Sequence, residues 1–178
     1  MFGRSKYAAD NKSCDRAIIK ISEGDKDALS VIYSAYGKLI YSTAYQICRD
    51  SQDATDILQD VMVAVAEKAG TYRQGSNPKA WVMAITRNLA INKMRLYDNS
   101  KTAPLEGDTE PTVTPDMDSA LIIEEALSTL SADDRYIVYS KLYAGLSHKE
   151  IGESLGISVA ACSARYKRAL KKLKPYFK

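Results

Sequence analysis

Six cations, Arg165, Lys167, Arg168, Lys171, Lys172 and Lys174, stand close together near the end of the chain, and no carboxylate occurs from Val159 to Lys178. A run of this kind can neutralise phosphates and release their counterions. Its setting sharpens the reading. In "GLSHKEIGESLGISVAACSARYKRALKKLK", Ser147 and Glu150 have capping-box spacing, Gly156 supplies a turn and Ser158 a second cap. That is the helix-turn-helix layout, whose second helix enters the major groove. The helix dipole also favours cations at a C-terminus, which accounts for part of the run but not for its place behind this pattern.

Two further sets lie in the first half of the chain. Trp81, Ile85, Asn88, Asn92 and Arg95 recur at helical spacing, so one stripe runs from apolar through amide to cation. Asparagine is a mediocre helix former. Two of them beside an arginine point to amides held out for a hydrogen-bonding partner, or to a pair satisfied inside a bundle. Just upstream, "TYRQGSN" is a polar loop whose Tyr72 could stack on an extruded base. Asp53, Asp56, Gln59 and Asp60 form an acidic edge. Capping explains the first two in part, whereas Gln59 and Asp60 lie beyond the cap. An acidic patch repels DNA, so its natural partner is a basic protein surface.

Other chemistry finds few residues to carry it. Cys14, Cys48 and Cys162 are far apart and form no CxxC pair, and His148 is the single histidine, so neither a metal site nor a cofactor is expected. With no Gly-rich phosphate loop and no nucleophile–base pattern, an enzyme is the poorest reading. Sparse thiols fit a reducing cytoplasm. No apolar run approaches the ~18 residues of a membrane span. The opening "MFGRSKYAADNKS" has no secretory core, so the chain is expected to be cytoplasmic, soluble and without membrane contact.

Helices must position all these groups, because apolar residues recur at three and four rather than two. The fold class is all-α: two small helical domains joined by a flexible acidic linker, the C-terminal one containing the helix-turn-helix. A tail over 1–13 is read as disordered. The first domain, 14–97, holds a short helix "DRAIIKIS", a long helix of about 22 residues with Gly37 as a weak point, a helix over 54–69 opened by Asp53, and a helix over 78–97 capped by Asn77 with Pro78 at its first position. Residues 98–118, "DNSKTAPLEGDTEPTVTPDMD", carry three prolines and six acids without periodicity and form the linker. The second domain, 119–178, holds four helices, the last burying Val159, Cys162, Tyr166, Ala169 and Leu173. Charge follows this division: +4 before the linker, −5 within it and +4 after it.

In this order and spacing, "DATDILQDV", "YRQGSNPKAWVMAITRNLAINKMR" and "LSADDRYIVYSKLYAGLSHKEIGESLGISVAACSARYKRAL" resemble the bacterial RNA polymerase sigma factors of the extracytoplasmic function (ECF) group, from about residue 14 onward. The resemblance implies that 14–97 is region 2, which binds core polymerase and the minus-ten element, and that 119–178 is region 4, which reads the minus-thirty-five element. It assigns Asp53, Asp56, Gln59 and Asp60 to the clamp helices of the polymerase β′ subunit. Asn88 and Asn92, with the cations Arg73, Lys93 and Arg95, are assigned to the melted minus-ten strand, and Tyr72 to the loop that captures a flipped non-template base. The resemblance also assigns the acidic strip to the polymerase's RNA path, where its negative charge would imitate RNA. Ser158, Ala161, Ser163, Arg165, Lys167 and Arg168 fall on the minus-thirty-five side, and the implied partners also include the β flap and an anti-sigma factor.

One departure bears on specificity. Where the family usually has Gly-Thr-Val-Lys/Arg-Ser-Arg at the start of the recognition helix, this chain has Ala160, Ala161, Cys162, Ser163, Ala164 and Arg165. Arg165 and Arg168 keep phosphate anchoring while base readout is depleted, so the minus-thirty-five contact is expected to be weak or unusual in sequence. Met62 replaces a common phenylalanine, a milder change because Met fills similar core volume. Two other readings accompany the sigma factor. One is a helix-turn-helix regulator that binds duplex DNA without polymerase; the other is a degenerate sigma paralogue that binds polymerase but reads DNA poorly.

Overall fold

A computed structural model describes residues 11–100 and 117–177. Eight α-helices follow one another: α1 (Asn11–Ser22), α2 (Leu29–Cys48), α3 (Ser51–Lys68), α4 (Pro78–Ser100), α5 (Met117–Ser128), α6 (Ala132–Leu142), α7 (His148–Leu155) and α8 (Val159–Leu173). The described residues contain no strand.

In the first module each helix turns one stripe inward. Cys14, Ala17, Ile18 and Ile21 do so on α1, Ile32, Tyr36, Ile40, Ala44 and Ile47 on α2, and Ala54, Ile57, Val61 and Val65 on α3. Gly37 does not break α2. It is buried, and the Tyr33 ring packs within 3.5 Å of where a Cβ would stand. Arg49 ends α2 in the left-handed region at φ 61°, its N–H donating to Tyr45 O at 2.8 Å.

Several boundaries differ from those read off the sequence. Residues 11–13 of the supposed tail begin α1, while residues 1–10 lie outside the described residues. Helix α3 begins earlier than expected because Asp50, not Asp53, is its cap, accepting from the Asp53 N–H at 2.8 Å. That frees the Asp53 side chain for other partners. Asn77 caps α4 as expected, its Oδ1 accepting from the N–H groups of Lys79 and Ala80. Helical backbone continues to Ser100 and resumes at Met117, so the stretch read as linker is helical at both ends, and 101–116 lie outside the described residues.

In the second module the caps stand where the spacing puts them. Ser131 accepts from Asp134 N–H, Ser147 and Glu150 form a complete capping box, and Ser158 accepts from Ala161 N–H. Gly156, at φ 67°, turns α7 into α8. Gly152 is required for a different reason: a Cβ there would lie 2.8 Å from the Ile157 carbonyl oxygen, where the turn closes over α7. Cys162, Ala169 and Leu173 are buried on α8 and Tyr166 is half-buried. Val159, expected inside, is 51% exposed, because it occupies the first position of α8, ahead of the packed stripe.

The two modules are docked on one another. Helix α6 packs along α2 and α7 against α4. Tyr136, Ile137, Ala144, Leu146, Ile151 and Cys162 join the apolar core of α1–α4, and a smaller cluster of Ala126, Leu130, Val138, Ala169 and Leu173 belongs to the second module alone.

Candidate polymerase and nucleic-acid interfaces

Burial of its opposite side fixes the orientation of α4. Val82, Met83, Ile85, Thr86 and Ala90 face the core, which leaves Asn88, Asn92 and Arg95 exposed along one outer stripe. The amides are therefore presented, not consumed inside the bundle; Asn88 Oδ1 accepts from its neighbour Arg87 at 3.3 Å. Lys93 points elsewhere. Its ammonium lies 3.0 Å from Asp53 and 2.8 Å from Asp56, bridging α4 to α3. Burial opposes its charge, but the hydrogen bonds and fields of the two aspartates prevail and hold the lysine above its ordinary range.

On α3 the expected acidic edge divides in two. Asp53 is half-buried and accepts from both Lys93 and the Tyr97 hydroxyl, the latter at 3.1 Å. Asp56, Gln59 and Asp60 are exposed. The outward acidic patch is thus those three, with Asp53 serving as the inner half of a clamp that ties α3 to α4.

The loop before α4 is built more firmly than its polar sequence suggests. The Tyr72 ring sits edge-on against Trp81, with centroids 5.3 Å apart. Its hydroxyl is 2.7 Å from Asp15 Oδ1 and 3.1 Å from Ser76 O. Burial first, and the Asp15 hydrogen bond second, push the phenol up to about 12, so it stays a donor. Tyr72 is therefore a pinned element of the loop wall, while Arg73 and Gln74 are exposed. Asp15 escaped sequence reasoning because it lies on a helix fifty-seven positions away.

On α8, Ala161, Lys167 and Arg168 are exposed, Ser158 is exposed but engaged as the cap, and Ser163 is half-buried. Arg165 is held by the module's own acids: Nη2 lies 2.8 Å from Asp134 Oδ1 and Nη1 3.7 Å from Asp133 Oδ2. Asp133 also takes Arg87 of α4 at 2.7 Å, so a chain of charges runs from beside Asn88 to the recognition helix.

That chain belongs to a larger set of links across the docked modules. Arg135 is buried and donates to the carbonyls of Gln46 and Ile47, at the C-terminal end of α2, and to Leu130 O at 2.6 Å. A helix C-terminus suits a cation. Burial, with Arg49 nearby, pulls Arg135 below its ordinary value. Arg49 pairs with Glu124 of α5. Asn77 donates to Glu150 at 2.6 Å and Lys79 to Ala144 O at 3.1 Å. Arg87 and Arg135 were not singled out in the sequence, since each resembles an ordinary surface cation until its partner arrives from the other module.

Among the described residues no group of metal-ligating side chains could hold an ion, and no helix is long and apolar enough to cross a membrane. Comparison with known proteins follows the same two-module division. The family description Sigma-70 region 2 matches residues 32–99, and Sigma-70, region 4 matches residues 120–173. The ECF RNA polymerase sigma factor SigF of Caulobacter vibrioides is 32% identical over 123 residues, 68% of this chain and 69% of the relative. SigM of Mycobacterium tuberculosis is 28% identical over 152 residues, 84% of this chain and 77% of the relative. Two solved structures share the fold. CnrH in complex with the cytosolic domain of CnrY has TM-score 0.69 and 19% identity, covering 92% of this chain and 96% of that one. RpoE in complex with the anti-sigma factor NepR from Bartonella quintana has TM-score 0.70 and 22% identity, covering 83% and 94%. A helix-turn-helix regulator that ignores polymerase has no use for a region 2. With both regions present in order and a relative of this similarity, the chain belongs to the ECF group of the sigma-70 family and is an RNA polymerase sigma factor of transcription initiation.

Proposed function

We propose that the first module carries two working faces. The exposed acids Asp56 and Asp60 with Gln59 dock on the basic clamp helices of the polymerase β′ subunit, with Asp53 as their buttress. Asn88, Asn92 and Arg95, with the loop 72–77, take the melted non-template minus-ten strand, reading bases by amide hydrogen bonds. Arg73 contributes a phosphate contact, and Lys93 positions the acidic face instead of touching DNA. The second module sits against the minus-thirty-five duplex through α8, with Lys167 and Arg168 on phosphates and little base readout from Ala161 and Ser163. It also meets the β flap. Catalysis stays with polymerase, this chain works in the cytoplasm where polymerase acts, and an anti-sigma factor binds it, as NepR binds the relative RpoE.

The observation that carries this reading is the contrast between two exposed faces on neighbouring helices. An acidic patch on α3 and an amide-rich stripe on α4 are both exposed, each on a helix whose other side is buried in the same core. Mixing the chain with bacterial core polymerase tests it. Association should be lost on Asp60→Lys and retained on Asn92→Ala, whereas open-complex formation should fall on Asn92→Ala. Association unaffected by Asp56→Lys together with Asp60→Lys would refute the docking face. The depleted recognition helix favours a second reading, the degenerate paralogue. Initiation only from pre-melted templates, and none from duplex promoters, would establish it.

A further inference from the structure

The loop 72–77 is tied to a helix outside the region 2 match, which begins at residue 32. Asp15 of α1 accepts two hydrogen bonds at one oxygen: from the Tyr72 hydroxyl at 2.7 Å and from the Gly75 N–H at 2.8 Å. These donors stand at opposite ends of the loop's tip. Gly75 has φ 78°, so the backbone reverses there, and its N–H is turned toward α1. Within the loop the Tyr72 hydroxyl also lies 3.1 Å from Ser76 O, and Ser76 N–H and Ser76 Oγ donate to Arg73 O, but none of these bonds ties the loop to α1.

Helix α1 is in turn fixed to the core. Its stripe is buried, and Tyr36 of α2 donates to Asn11 Oδ1 at 3.2 Å. The carboxylate is therefore a fixed point to which the loop is tied. Between them lies an open hollow of about 570 Å³, flanked by Lys12 and Arg16 on the helix side and by Gln74 and Ser76 on the loop side. That volume falls within the range of sites that bind small molecules.

We propose that Asp15 is a positioning residue for base capture: by holding Tyr72 and Gly75 at one oxygen, it sets the aperture of the loop 72–77 and thereby which non-template base the loop admits. This rests on the reading of that loop as the minus-ten capture site. A charge-assisted acceptor serving two donors fixes distance and direction together, which a single contact cannot do. The carboxylate touches no nucleotide. Its effect is felt through the loop, as a preference at one base and not as overall affinity.

The test uses the full chain with core polymerase and a fork-junction template whose unpaired non-template strand is randomised over the minus-ten element. Bound templates are sequenced for the wild type, Asp15→Ala and Asp15→Asn. Asp15→Ala should flatten the preference at one position by roughly ten-fold while leaving the other positions and polymerase association in place. Asp15→Asn keeps an oxygen acceptor in the same place and should restore most of that preference. An Asp15→Ala profile identical to wild type, an even loss at every position, or an Asp15→Asn variant as flat as the alanine would each overturn the proposal. The loop reading is checked separately by Gln74→Ala together with Arg73→Ala. If those changes leave the wild-type profile untouched, the capture site lies elsewhere and the proposal falls with it; if they alter it and Asp15→Ala does not, only the role of Asp15 is lost.

Discussion

The two candidate DNA faces use opposite chemistry. On α4 the exposed stripe is two amides and Arg95, while the neighbouring cations Lys93 and Arg87 are occupied by Asp53, Asp56 and Asp133. On α8 Lys167 and Arg168 stand exposed, while Ala161 has no polar side-chain atom and Ser163 is half-buried. The amides of α4 match the paired donor and acceptor of a base edge, and Lys167 and Arg168 supply attraction to phosphate whatever bases lie beside them. On the proposed assignment the first module chooses a sequence and the second holds on near it. Such a division suits a protein that relies on polymerase to bring both faces to one promoter.

The largest effect expected is on the joint between the modules. Arg135→Met removes a buried guanidinium bonded to three carbonyls, two of them on α2, and should cost about 3 kcal/mol by the usual worth of charge-assisted hydrogen bonds. Urea unfolding followed by hydrogen exchange on each module should show the second module opening before the first. A single transition of unchanged midpoint would mean that the docked arrangement does not depend on Arg135.

The contrast between the faces is sharpened by a smaller pair of effects. Asn88→Ala and Asn92→Ala should each cost about 1–3 kcal/mol of base discrimination in the minus-ten strand and leave the salt dependence of binding nearly unchanged. Lys167→Ala and Arg168→Ala should do the reverse, lowering the salt slope by ~1 each with little change in sequence preference. Arg165→Ala should lower it less, because Asp134 and Asp133 already neutralise that guanidinium. Its share should grow once both acids are changed to asparagine. Equal slopes for Arg165 and Arg168 in the unaltered protein would show that the aspartates let go when DNA arrives.

Much of this architecture is legible in the sequence wherever partners lie within a few residues. Asn77, Ser131, Ser158 and the Ser147–Glu150 pair all cap as their spacing indicates, because a cap is a local bond between a side chain and the next turn. Asp50 and Asp53 show the limit even there. Both are capping residues three positions apart; Asp50 opens the helix, while the Asp53 side chain meets Lys93 and Tyr97 of another helix, which no local pattern shows. The docking of the modules leaves no local trace. Arg135 in "SADDRYIVYSK" reads as a solvated cation, since backbone carbonyls almost ninety positions away carry no residue signature. Tyr72 reads as a free aromatic for the same reason, its partner Asp15 being remote.

Acid offers the gentlest way to loosen the joint. Glu150 serves both its own capping box and Asn77 of the first module. Partial burial pushes its carboxyl up, but hydrogen bonds from the Ser147 N–H, the Asn77 amide and the Ser147 hydroxyl outweigh this and leave it below its ordinary value of 4.5. A carboxyl depressed in the folded state contributes its stability fully above the unfolded value and loses it as pH falls through the folded one. Glu150→Gln should therefore be less stable than wild type above pH 4.5, with the gap closing as acid protonates the wild-type carboxyl. Denaturant midpoints measured on both sides of that value would show it, and a gap that stays constant or widens in acid would mean that Glu150 contributes through shape and not through charge. Because the same carboxylate holds Asn77 at the head of α4, the closing gap should coincide with faster hydrogen exchange in α7, while α3, which has no part in this link, stays protected.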